Sequence, residues 1–120
     1  MKRIKASNSE LIEVIRFLKK QGREQKAGIW KTVAEDLASS RRRRLAVNVS
    51  RINRHTEKND VVAVPGKVLG AGVLDHPVTV AAFAFSEMAR QKIVKARGKC
   101  LTFFDLVKKN PEGSNVKIIG

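Results

Sequence analysis

The sequence has one cysteine, Cys100, so no disulfide forms within the chain, which suits a reducing compartment. The only histidines, His55 and His76, stand at unrelated spacings, which excludes an ordinary structural zinc site. Tyrosine is absent, and the one tryptophan and five phenylalanines fall on apolar faces rather than among the basic residues. Readers of single-stranded nucleic acid usually supply stacking rings, so that mode is disfavoured. Long apolar runs are also missing. The longest, Pro77–Phe85, is far short of the ~20 residues a membrane span needs, and the basic start Met1–Glu10 leads into no apolar signal-peptide core. We expect a cytoplasmic protein with no metal, cofactor or membrane partner.

Negative charge is the scarcest commodity. Eleven Asp+Glu face 25 Lys+Arg, a net charge of +14. Self-repulsion at that charge opposes compaction, and a polyanion relieves it. At 120 residues and 42% hydrophobic, the chain fits one domain, residues 1–120, with a modest core. The bases are clustered. Between Asp36 and Glu57 every charge is an arginine: Arg41, Arg42, Arg43, Arg44, Arg51 and Arg54. Between Glu87 and Asp105 all are again positive: Arg90, Lys92, Lys95, Arg97 and Lys99. Lys2, Arg3 and Lys5 lie in a basic N-terminal tail, residues 1–6. A guanidinium fork bonds two phosphate oxygens at once, whereas lysine acts as a point charge. Together with the lack of exposed rings, this predicts recognition of folded RNA through phosphate, sugar and shape.

Periodicity predicts an α/β protein: an N-terminal helical hairpin, then short, partly parallel strands alternating with helices. Ser7 and Glu10 form a capping box ahead of Leu11, Val14, Ile15 and Leu18, and Gly22 ends that helix. Ile29, Val33 and Leu37, widened by Trp30 and Ala34, mark a second helix. Asn48 is placed to cap a short helix to about Thr56, with Val49, Ile52, Asn53 and Thr56 on one face and Arg51, Arg54 and His55 on the other. Val61–Val64 reads as a short strand closed by Pro65-Gly66, followed by an irregular glycine-rich connection. Val78–Phe85 is apolar on both faces, as a central strand is. Ser86 caps a helix from about Glu87 to Ala96 that stops at Gly98, and "KCL" is a minimal strand. Thr102 and Asp105 form a capping box for a helix ending at Asn110-Pro111, and "NVKIIG" closes the chain as a strand. From Val78 the order β-α-β-α-β favours parallel strands joined by helical crossovers.

No reaction chemistry emerges from these elements. Pro65–Gly72 resembles a phosphate loop, but Lys67 follows the first glycine and Val68 stands where Ser or Thr is required. Its glycines fit tight turns or close backbone approach, with Lys67 and the amides left to touch an RNA phosphate. Asp75-His76 is the only acid–histidine neighbour pair. A hydrolytic triad would still need a nucleophile such as Ser86 or Thr79, and no nucleophile-elbow signature supports one. "LDHP" reads as a turn, and Cys100 as a buried structural thiol. Glu35-Asp36 fits an exposed helix face. The hairpin has the outline of a helix-turn-helix, but Trp30, Lys31, Thr32, Glu35 and Asp36 make a poor recognition face for DNA. An architectural DNA-binding protein is the alternative reading.

Three stretches, Val47–Thr56, Val61–Glu87 and Asn110–Gly120, resemble the archaeal and eukaryotic large-subunit ribosomal protein eighteen family, which is related to bacterial large-subunit ribosomal protein fifteen. The similarity spans essentially the whole chain, and the compact length looks like that of archaeal members. The resemblance implies a fold of irregular β-β-α units and a non-enzymatic constituent of the large subunit in the cytoplasmic ribosome. It implies ribosomal RNA and neighbouring ribosomal proteins as partners, and no small-molecule substrate. Arg41, Arg42, Arg44, Arg51, Arg54 and Lys67 are its matched basic positions. Added to the clusters above, the expected RNA contacts are Lys2, Arg3, Lys5, Arg41 to Arg44, Arg51, Arg54, His55, Lys67, Arg90, Lys92, Lys95 and Arg97. The N-terminal tail and Arg41–Arg44 are expected to order on RNA.

Overall fold

A computed structural model describes residues 2–38 and 46–120, with side chains from Ser9 onward. The elements run α1 (Lys2–Glu24), α2 (Gly28–Ala38), β1 (Ala46–Asn48), α3 (Val49–His55), β2 (Asp60–Leu69), β3 (Val78–Phe85), α4 (Glu87–Lys95), β4 (Lys99–Leu101), α5 (Phe103–Lys109) and β5 (Val116–Ile118). The hairpin and the β-α-β-α-β alternation from Val78 stand as the sequence indicates, and the class is α/β. Every pairing among the described strands is parallel, in the order β1-β2-β3-β4, with β5 also on β2.

Strand alternation divides the core into two layers. Val62 and Val64 of β2 and Val80 and Ala82 of β3 face one side, against Val49 and Ile52 of α3 and Ala89 and Ile93 of α4. Ala63 and Ala81 face the other, against α1, α2 and α5. The small alanines leave room there for Trp30 and Phe103, both fully buried. Each fully buried large apolar side chain contributes roughly 1.5–3 kcal/mol. Trp30 also donates its Nε1–H to the Pro111 carbonyl at 2.7 Å, which ties the hairpin to the loop before β5.

Four local readings change. Helix α1 begins at Lys2 rather than after Ser7, because the Lys, Arg, Ile and Ala ahead of the box sustain a helix. Residues 2–6, read as a basic N-terminal tail, are therefore helical. The helix also runs past Gly22 to Glu24, and Lys26 takes the left-handed conformation (φ 53°) that ends it. Likewise Arg97 (φ 70°), not Gly98, takes the left-handed position after α4. Gly98 is needed for close approach instead: a Cβ there would lie 2.2 Å from the Val78 carbonyl oxygen. Finally, β2 does not stop at Pro65-Gly66 but continues to Leu69 and pairs through Lys67–Leu69 with β1, a strand the sequence did not reveal. On one edge β5 covers Val61–Ala63 and β1 covers Lys67–Leu69, while on the other edge the register against β3 slips between Val64 and Lys67. Proline, which lacks an N–H, sits where the ladders break on both sides.

Candidate nucleic-acid interface

Helix α3 is set by two buried anchors, Val49 and Ile52, and by Thr56, whose hydroxyl lies 2.7 Å from the Ile52 carbonyl. Arg51, Arg54 and His55 are exposed on the opposite face, as their spacing requires. Asn48 stands at the N-cap position, but its side chain does not cap the helix. Its Oδ1 accepts instead from the Ala71 N–H at 3.2 Å, and the Ser50 N–H donates to the Ala71 carbonyl at 3.3 Å.

The glycine loop is thus a wedge between α3 and α4. A Cβ on Gly72 (φ 88°) would lie 2.3 Å from Ser50 Cβ on α3, and one on Gly70 would lie 2.9 Å from Ala89 N on α4. Lys92 of α4 fastens the wedge, donating from Nζ to the carbonyls of Gly70 and Gly72, both at 2.6 Å. Those carbonyls point at a cation, the reverse of a phosphate cradle. Two of the three Lys92 N–H groups are therefore engaged by backbone carbonyls of the loop. Its neighbours behave differently. Arg90, Lys95 and Arg97 are exposed. The Arg90 guanidinium lies 5.3 Å from the Phe85 ring centroid, a cation–π arrangement that steadies it. Lys95, together with Lys92, lines a cleft with Gly72–Asp75.

At the other end of α3, Arg51 and His55 line a second cleft with Lys117, which the sequence reading missed. Arg51 donates from Nη2 to the Gly120 carbonyl at 3.0 Å, one of the five N–H donors of a guanidinium. Lys117 Nζ lies 2.9 Å from Asp60 Oδ2 and 3.5 Å from the His55 carbonyl. The hydrogen bond from Lys117, helped by the Glu57 N–H, holds the Asp60 carboxyl below its usual range. Lys67 is exposed in the second half of β2. Lys2, Arg3 and Lys5 ride on the first turns of α1, with side chains outside the described atoms, and Arg41–Arg44 lie outside the described residues.

The acid–histidine pair is structural. His76 Nδ1 lies 2.9 Å from Asp75 Oδ1, and its Nε2 lies 2.8 Å from the hydroxyl of buried Thr56. The hydrogen bond from His76 keeps the Asp75 carboxyl low. Ser86, the nucleophile first weighed for this pair, caps α4 by accepting from the Ala89 N–H at 3.1 Å. Cys100 is half-buried, and desolvation pushes its thiol up despite the pull of Arg90, the opposite of an activated nucleophile.

A family profile described as ribosomal protein 60S L18 and 50S L18e matches residues 2–120. The chain belongs to this family. Among its relatives is the large ribosomal subunit protein eL18 of Methanothermobacter thermautotrophicus, 49% identical over 119 residues that cover 99% of this chain and 98% of that protein. The eL18 of Methanococcus maripaludis is 48% identical over 119 residues, covering 99% of each chain. That of Methanospirillum hungatei is 45% identical over 113 residues, covering 94% of this chain and 93% of its own. The family consists of structural, non-enzymatic ribosomal proteins that work in the cytoplasmic ribosome. No helix among the described residues is long and apolar enough to cross a membrane.

Proposed function

We propose that this protein is an RNA-binding constituent of the large ribosomal subunit that holds folded ribosomal RNA, beside neighbouring ribosomal proteins, on the outer faces of α3 and α4. One observation carries the reading: the glycine wedge fastens α3 to α4, so that Arg51, Arg54, Arg90 and Lys95 are exposed from two helices on the same side of the sheet. Guanidinium forks on rigid helices suit phosphates fixed by an RNA fold. Arg97 and His55 extend the contact, and Lys67, away from this face, and the bases of residues 2–5 and 41–44 are further RNA contacts. Arg51→Ala with Arg54→Ala tests this in filter-binding titrations against a large-subunit rRNA transcript. The log–log salt slope falls by about 1.4–1.8, at about 0.7–0.9 per lost phosphate contact. An unchanged slope refutes the assignment. Duplex DNA displaces the transcript only weakly where RNA shape and 2′-hydroxyls are read. Equal displacement returns the case to the DNA-binding alternative.

A further inference from the structure

The helical hairpin carries a second basic surface that the sequence does not display as a run. Acids interrupt it along the chain, with Glu24 following Arg23, and Glu35 and Asp36 following Lys31. In the fold, Lys19, Arg23, Lys26 and Lys31 line one groove, with Glu35 as its only acid. Glu24 lies 4.0 Å from Lys20 and outside the lining. Lys19 and Arg23 are four apart on α1 and so are neighbours. The left-handed turn at Lys26 folds the chain back. Gly22 lets α2 come close, since a Cβ there would stand 3.2 Å from the Lys31 nitrogen.

All four cations are exposed, and among the described residues none is paired with a carboxylate. At the surface such charges repel one another by about 1 kcal/mol per close pair in water-like surroundings, and an incoming anion reverses that cost. Three of the four are lysines, point charges suited to backbone phosphate rather than to base edges. Helices α1 and α2 cover the alanine side of the sheet, whereas α3 and α4 cover the valine side. The groove and the interface proposed above therefore belong to opposite layers of a molecule 20 Å across in its thinnest dimension.

We infer that the hairpin groove binds the phosphate backbone of a second RNA segment, so that the protein bridges two stretches of ribosomal RNA across its sheet. This rests on the valine-side reading above. The test places a photo-cross-linking amino acid at Lys31 in one full-length copy and at Arg54 in another, each assembled into large subunits. Both probes attach to ribosomal RNA, at two separate segments. A Lys31 probe that reaches only protein, nothing, or the segment found by Arg54 overturns the bridge alone. An Arg54 probe that misses RNA overturns the valine-side interface and, with it, the bridge. In solution, Lys19→Gln with Arg23→Gln and Lys31→Gln lowers the salt slope for the rRNA transcript by about 2–3, one increment per lost contact, without changing the melting temperature. An unchanged slope also overturns the groove.

Discussion

Lys92 and Lys95 stand three residues apart on α4, equal in charge and opposite in predicted effect. The Lys92 ammonium holds two carbonyls at 2.6 Å and is half-buried, whereas Lys95 is exposed. Hydrogen bonds to a charged group contribute about 1.5–3 kcal/mol each, and partial solvation reduces the pair to about that total. Lys92→Met keeps the apolar stem and removes only the ammonium. For 120 residues, at roughly 2.1 cal/mol/K of unfolding entropy each, 1 kcal/mol corresponds to about 4 °C. The variant should therefore melt about 6–12 °C lower by circular dichroism, with an unchanged salt slope against rRNA. Lys95→Gln should do the reverse, leaving the melt in place and lowering the slope by about 0.7–0.9. If Lys92→Met melts within about 2 °C of the parent and flattens the slope, its ammonium faces RNA and the wedge argument fails.

Three further outcomes follow from particular contacts. Ile52→Ala, at a fully buried position under the arginine face, costs about 2–5 kcal/mol in urea unfolding. Gly98→Ala drives a Cβ against the Val78 carbonyl, which is backbone and cannot swing away, and costs about 1–3 kcal/mol in the same assay. Asp60 has its folded-state pKa depressed, chiefly by the Lys117 hydrogen bond. Its contribution is complete above the ordinary carboxylate range of about 4 and is lost as pH falls through the lower folded value. Asp60→Asn should flatten that acid limb of the urea midpoint, and a limb identical to the parent's would show that the Lys117 contact contributes nothing.

Some local signals were readable, whereas distant ones were not. Ser86 and the Thr102–Asp105 box each act over three residues, and both caps form as their sequence spells them. The two faces of α3 follow from spacing alone. The length of β2 does not, because Pro65-Gly66 ordinarily ends a strand and only the change of partner from β5 to β1 lets it continue. The roles of Lys92 and Lys117 were hidden for the same reason. Lys92 meets carbonyls 22 and 20 residues away, and Lys117 joins the α3 cleft only because β5 crosses back to β2. In the hairpin, alternating signs along the chain concealed a groove that is nearly of one sign in space.

The outermost strands have a consequence for a copy still waiting to be assembled. β1 and β5 share one border of the sheet, β4 forms the other, and each is three residues long. Among the described residues, a neighbouring copy finds three residues to zip onto at each of them, a short template for sheet-to-sheet polymerisation. Mutual repulsion between molecules of charge +14 adds to that barrier. A surplus pool of this protein should accordingly remain dispersed rather than clump.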